Sequence, residues 1–310
     1  MGKTEKKIIL ANPRGFCAGV ERAILTVRLA IKKYGTPIYV LHEIVHNKHV
    51  VQELEAMGVV FVHDLVDVPR GAICIFSAHG VPAPTEMRAR RLGLRTINAT
   101  CPLVNLVHNM VEKNYANDYD VVIIGHHNHP EVEGTAGRVG GNVHVVANEE
   151  EAKTIQVRDP ARVAYVTQTT LSQDDIGEIR EVLLKRFPKI NGPKSNICYA
   201  TLNRQQAVRG LAGKCDILLV VGSKNSSNSN RLREVGERAG MKGYLLDDET
   251  DIKMKWLKSV STVCITAGAS APERLVQGVI EFLRKQGFSE FEEMNGNKER
   301  VSFKPATLEE

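Results

Sequence analysis

No apolar run in this 310-residue chain approaches the roughly 18 residues that a bilayer-spanning helix needs, so nothing in it reads as a membrane anchor. Aromatic residues are scarce, with one Trp, seven Tyr and eight Phe. That is too few for the stacking platform of a single-strand nucleic-acid binder, and Lys and Arg form no block. The basic excess of 41 over 36 is compatible with a small anionic substrate and gives no footprint for nucleic acid. The six cysteines are thinly spread and include no C-x-x-C pair, which excludes a disulfide framework. Neither G-x-x-x-x-G-K-[ST] nor G-x-G-x-x-G occurs, so the chain carries no nicotinamide or flavin fingerprint of its own. The opening MGKTEKKIIL is charged and then only briefly apolar, unlike a signal or transit peptide, and a reducing cytoplasm is the expected compartment.

What is present is an even spread of apolar clusters, 43% hydrophobic residues against 25% charged, in a chain long enough for two or three lobes. β-Branched runs predict strands at 8–11, 37–41, 59–62, 72–76, 121–124, 143–146, 163–166, 217–221, 244–246 and 260–265. Their near-continuous apolar character suits parallel sheets covered on both faces. Helical spacing appears at 21–33, 103–114, 174–187, 204–212, 231–239 and 273–285. This alternation predicts an α/β protein built from βαβ units. Six strands end in loops rich in reactive or hydrogen-bonding residues: NPRGFC, SAHG, GHHNHPE, TQTT, GSKNSSNSN and TAGASAP. Ligands gather at the carboxyl ends of parallel strands, so six such loops predict one shared site.

Cys17, Cys101 and Cys198 each stand just before a helical stretch, 84 and 97 residues apart. That spacing predicts three pseudo-repeated lobes, each donating one thiol from a helix N-terminus that favours thiolate. Three thiols suit zinc, or a [4Fe–4S] cluster with one iron left open to substrate, and spacing alone does not decide. Cys74, Cys215 and Cys264 sit in or beside apolar strands and read as small buried hydrophobes. HEIVH at 42–46 matches the zinc-protease signature, but it follows a strand, where its two His would not converge as they do on a helix. In the run 126–131, His126 and His127 read as solvated, whereas His129 and Glu131 can face a cleft. A Glu buried near an anion would hold its proton more tightly and could donate it. The loop at 222–230 offers the chemistry of a phosphate cradle, or simply caps the helix expected from Arg231.

Taken together, NPRGFCAGVERAI, HEIVHN, SAHGV, ATCPLV, HNHPEVEGT, TQTTLS, ICYATLNRQ, VGSKNSSNSNRL and TAGASAP resemble, in order, the 4-hydroxy-3-methylbut-2-enyl diphosphate reductase family. The likeness runs from about Ile8 to about Phe282. It implies a three-lobed α/β fold around a central cavity, each lobe a small, mainly parallel sheet flanked by helices. The lobes would span 1–100 with the Cys17 loop, His46 and His79; 101–197 with Cys101, His129, Glu131 and Thr169; and 198–285 with Cys198, Ser226, Ser227, Asn228 and Ser270. Residues 286–310 would form a tail.

By the same resemblance, Cys17, Cys101 and Cys198 hold one [4Fe–4S] cluster. His46, His79, His129, Thr169, Ser226, Ser227, Asn228 and Ser270 contact the allylic diphosphate, and Glu131 relays protons. The reaction implied is loss of the allylic hydroxyl as water, with two electrons from an external ferredoxin- or flavodoxin-type donor. His in place of Arg predicts substrate affinity that weakens as pH rises past neutrality. A cluster-dependent dehydratase, needing no reductant, and a non-catalytic iron–sulfur or zinc protein are the competing classes.

Overall fold

The structure is a computed structural model and describes residues 6–308. The first part of the chain runs β1 (Lys6–Leu10), α1 (Ala18–Tyr34), β2 (Ile38–Leu41), α2 (Lys48–Ala56), β3 (Val59–Val62), β4 (Ile73–Phe76), α3 (Ala83–Arg91) and β5 (Arg95–Asn98). It continues through α4 (Pro102–Ala116), β6 (Asp120–Ile124), α5 (Pro130–Ala136), β7 (Val143–Val146), α6 (Glu149–Thr154), β8 (Val163–Thr167) and α7 (Gln173–Arg186). The remainder is α8 (Tyr199–Arg209), β9 (Ile217–Val221), α9 (Ser227–Arg238), β10 (Lys242–Leu246), β11 (Thr262–Ala267), α10 (Glu273–Lys285) and β12 (Phe288–Glu293). Among the described residues every strand pairing is parallel, as the apolar runs predict.

One compact unit comprises residues 1–17, 46–52 and 199–301. Its five-stranded sheet has the order β10-β9-β11-β1-β12. Side chains of the central strands alternate between two cores, which is why runs such as Ile-Leu-Leu-Val-Val are apolar throughout. Ile8, Leu10, Leu219, Val221 and Ile265 meet Leu275, Val276, Val279, Ile280 and Leu283 of α10 on one face. Ile9, Leu218, Val220 and Cys264 meet Ala207 and Val208 of α8 and Leu232 and Val235 of α9 on the other. Each fully buried aliphatic contributes about 1.5 to 3 kcal/mol, so a charge at the wholly buried Val279 would break the α10 face.

The other unit comprises residues 18–45, 53–198 and 302–310 and holds two sheets, β3-β2-β4-β5 and β7-β6-β8. In the second of these, Val121, Ile123 and Val166 pack on Val107 and Val111 of α4 and Val132 of α5. Three sheets flanked by helices are therefore present, with a chain order that differs from the expected lobes. Strand β1, expected in the first lobe, pairs with β11 and β12. Residues 288–293, expected in a tail, form an edge strand, while Ala306 is buried and donates its N–H to Thr26 Oγ1. Residues 1–5 and 309–310, parts of the expected first lobe and tail, lie outside the described residues. Among the described residues no helix is long and apolar enough to cross a membrane.

Cys215 and Cys264 form a disulfide, which corrects the expectation of two unpaired core thiols. Cys215 lies just before β9 and Cys264 opposite Leu218 on the adjoining β11, so their Cα atoms are 5.7 Å apart. Linear spacing gave no sign of that, because it is strand order that makes the two neighbours. Cys74 is a buried free thiol, its pKa pushed up to about 12 by burial, and is inert as expected.

Candidate functional site

The reactive loops stand at strand carboxyl ends. In the first unit, NPRGFC, GSKNSSNSN and TAGASAP follow β1, β9 and β11, three adjacent strands of one parallel sheet, so they share one sheet edge. Cys17 N–H donates to Ala269 O at 3.2 Å, and Gly15 N–H to Ala267 O at 3.2 Å. These bonds tie the Cys17 loop to the turn that carries Ser270. Ser270 Oγ donates to His46 O at 2.9 Å, and the Asn225 amide approaches His46 Nδ1 at 3.4 Å.

Helix α9 begins at Ser227 rather than Arg231, with Ser226 as its cap. Ser226 Oγ accepts from Ser229 N–H (3.3 Å) and Ser229 Oγ (3.0 Å), which leaves its own O–H to donate elsewhere. Asn228 is only 4% exposed, yet neither Nδ2 nor Oδ1 has a protein partner. A buried amide without partners costs about 1 to 3 kcal/mol, so this loop is built to receive a polar group.

In the second unit, six of the predicted residues stand along connected stretches of hydrogen bonds and ring contacts. Glu131 lies in the first turn of α5 and is 3% exposed. Its Oε1 accepts the Thr169 N–H at 2.6 Å and its Oε2 the Thr169 hydroxyl at 3.0 Å. Thr169 O accepts the Cys198 N–H at 3.2 Å. On the other side, the Glu131 N–H donates to His129 Nδ1 at 3.1 Å, so His129 caps the helix. With Nδ1 turned to the helix, His129 directs its other ring nitrogen, Nε2, away from the cap. The His79 ring meets His129 edge-on, centroids 5.9 Å apart, and its Nδ1 is 3.2 Å from Ser77 Oγ.

Cys101 N–H donates to Ala78 O at 3.0 Å, one residue before His79. Gly80 follows in a left-handed conformation (φ 81°), where a Cβ would lie 2.6 Å from the His108 ring. His108 extends from α4, is 5% exposed, and has no partner at Nε2. Burial, with Arg138 nearby, lowers its pKa to about 4.

Cys17, Cys101 and Cys198 are half-buried, lie outside any disulfide, and each immediately precedes a helix, α1, α4 and α8. A thiol next to the N–H groups of a helix N-terminus favours the thiolate, and three such thiols have the donor chemistry of iron–sulfur ligands. Among the described residues no group of three or more His, Cys, Asp or Glu side chains could hold a metal ion. A single ion draws its ligands close, whereas a cluster of several irons keeps its thiolates farther apart, so this bears on a mononuclear site. HEIVH is a loop between β2 and α2, as expected, and His42 has a positive φ of 59°. His127 is not merely solvated, since it pairs with Glu151 at 2.7 Å.

Sequence reasoning passed over Arg204, Glu299 and His108. Arg204 lies in the quoted motif ICYATLNRQ, and a lone Arg on the buried side of a helix was the available signal. Glu299 stands in a polar stretch with no pattern to mark it.

The LytB protein family matches residues 8–284. A 4-hydroxy-3-methylbut-2-enyl diphosphate reductase of Desulfotalea psychrophila is 60% identical over 308 residues, covering 99% of this chain and 98% of its own length. The protein of that name from Tolumonas auensis is 52% identical over 301 residues, with coverages of 96% and 97%. Among solved structures, the E-1-hydroxy-2-methyl-but-2-enyl-4-diphosphate reductase from Plasmodium falciparum has a TM-score of 0.93 and 40% identity, over 96% of this chain and 94% of that one. A second, an (E)-4-hydroxy-3-methyl-but-2-enyl diphosphate reductase described as the terminal enzyme of the non-mevalonate pathway, has a TM-score of 0.63 and 32% identity, over 90% and 99%. Matched almost end to end by proteins of one kind, the chain belongs to the LytB protein family.

Proposed function

We propose that this chain removes the allylic hydroxyl of 4-hydroxy-3-methylbut-2-enyl diphosphate, giving isopentenyl and dimethylallyl diphosphates. Relatives matched almost end to end bear the name of that reductase. The observation that carries the reading is the line of hydrogen bonds from Cys198 through Thr169 and Glu131 to His129. In this reading it joins Glu131 as proton source, the Thr169 hydroxyl as relay and the His129 ring as donor to the backbone of Cys198. In the overall reaction the C–O bond breaks, the hydroxyl leaves with one proton as water, and the second proton adds to either end of the allyl unit. The two electrons come from an external ferredoxin- or flavodoxin-type protein of the cytoplasm.

Cys17, Cys101 and Cys198 would hold a [4Fe–4S] cluster, which when bound supplies electrons singly and an iron free to act as Lewis acid. Both Glu131 oxygens accept from Thr169. Once protonated, Glu131 donates to Thr169 Oγ1, and the hydroxyl turns to pass its own proton onward. Burial of both residues keeps bulk water from competing for that proton. His129 Nε2–H, the Ser226 O–H and the Asn228 amide are donors for the diphosphate, and His46, His79, Ser227 and Ser270 complete that set. Charge-assisted bonds of this kind contribute about 1.5 to 3 kcal/mol each.

Anaerobic purification followed by iron and sulfide analysis, with and without the diphosphate, tests the reading. Close to four of each per chain, a substrate-dependent spectral change and turnover only with reductant are expected. Full activity in iron-free protein, or turnover without a reductant, refutes it.

A further inference from the structure

The segment following β12 lies beyond the residues that match the family, yet it is packed against the loop that carries Cys17. Met294 N–H donates to Leu10 O at 2.9 Å, continuing the β1–β12 pairing. A Cβ on Gly296 would overlap Asn12 O, so the two backbones touch. Arg14 is held by Glu293 at 2.7 Å and Glu273 at 2.8 Å.

Beneath the loop, Arg204 is wholly buried. Its guanidinium donates to Gly15 O twice, at 3.0 and 2.8 Å, to Phe16 O at 3.1 Å and to Ala200 O at 2.9 Å. Glu299 accepts from the same guanidinium at 3.0 to 3.2 Å and from the Asn203 amide at 2.9 Å. A buried guanidinium is tolerable only with a counter-ion and its donors filled, and the two peptide carbonyls immediately before Cys17 fill several of them.

We propose that the Arg204–Glu299 pair is a positioning device, fixing the Gly15–Phe16 backbone and thereby the direction in which Cys17 presents its sulfur. The inference rests on Cys17 being a cluster ligand. Its substance is that Glu299, beyond the residues that match the family, acts with Arg204 within them on one ligand of three. Arg204 and Glu299 touch neither substrate nor cluster in this account. They act through two carbonyls and one peptide bond.

The test is alkylation of the full-length iron-free chain by iodoacetamide, with the rates at Cys17, Cys101 and Cys198 read separately by mass spectrometry. Glu299→Gln and Arg204→Lys are compared with the parent, and the low-temperature electron paramagnetic spectrum of the reduced, reconstituted protein is recorded for each. Both variants should accelerate Cys17 about tenfold, the ratio that losing one charge-assisted bond produces. Cys101 and Cys198 should stay within about twofold, and the cluster spectrum should change. A rise shared by all three thiols, or by none, overturns the proposal, since the first marks general loosening and the second an idle pair. If one variant fails to fold, the other decides. Cys17→Ser separates the two levels of the argument. An unaltered cluster in that variant removes Cys17 as a ligand, whereas loss of the cluster there with unaltered Cys17 reactivity in the Glu299 and Arg204 variants removes only the positioning role.

Discussion

Acid should destabilise the fold through His108 in a way that can be isolated. The ring is 5% exposed, presses on Gly80 and leaves Nε2 unpartnered, and its pKa is lowered from 6.5 to about 4, chiefly by burial and secondarily by Arg138. A group with a depressed folded-state pKa binds more protons when unfolded. Stability from its burial is therefore fully present above about pH 6.5 and is lost as pH falls toward 4. Over that window the loss is about 1.4 kcal/mol per pH unit, roughly 3 kcal/mol in all. Urea unfolding of the parent and of His108→Leu at pH 7, 6, 5 and 4.5 measures it, because other titrating groups cancel in the difference. The parent's stability should fall more steeply by that amount. Parallel lines for the two proteins would refute the reasoning and place His108 in water or beside an undetected acid. The same protonation would push on Gly80 and the adjoining His79, so diphosphate affinity should decline with stability below pH 6.

Glu131→Gln should retain diphosphate binding and lose turnover by about 10²- to 10⁴-fold; near-normal kcat excludes the acid role. Asn228→Ala should weaken diphosphate binding by about 1 to 3 kcal/mol while leaving thermal stability without ligand unchanged or higher, since its amide has no partner to lose; a lower Tm with unchanged affinity contradicts this. Cys101→Ser should abolish the cluster's visible absorption, checked by spectrum and iron content. Opening the Cys215–Cys264 bond, which spans 49 residues, should cost up to about 4 kcal/mol on the chain-entropy account. Thermal melts of Cys215→Ser, and of the parent with and without reductant, measure it, and identical curves would show that the pair does not restrain the unfolded chain.

Apolar pattern exposed much of the fold in advance. Ile217–Val221 and Val143–Val146 fall where β-branched runs place them, and α10 spans the expected 273–285. Strands β5 and β12 escaped for a physical reason. Arg-Thr-Ile-Asn and Phe-Ser-Glu-Phe-Glu-Glu lie at sheet edges with most side chains exposed, so hydrophobic burial leaves little trace in them. The short helices α2, α3, α5 and α6 were missed too, having too few turns to show a period. Local pattern also put His129 and Glu131 after a strand and each of three thiols just before a helix, where the structure has them. Arg204 with Glu299, and Cys215 with Cys264, are meaningful only as pairs separated by 95 and 49 residues. Nothing along the chain marks which partner each will meet.

Among the described residues strand β1 pairs with β11 and β12, so it waits for strands made much later in synthesis. At about 5 to 20 residues per second, the β1 segment and the Cys17 loop after it spend roughly 15 to 55 s on the ribosome before β12 emerges. For that interval Cys17 has neither its strand neighbours nor the Ala269 carbonyl to orient it. Assembly of any group that needs all three thiols is thus deferred until synthesis is nearly complete, and the nascent thiol is most open to oxidation during that time. The parallel register that buries Ile8 and Leu10 so well makes maturation of this protein a late event in its biosynthesis.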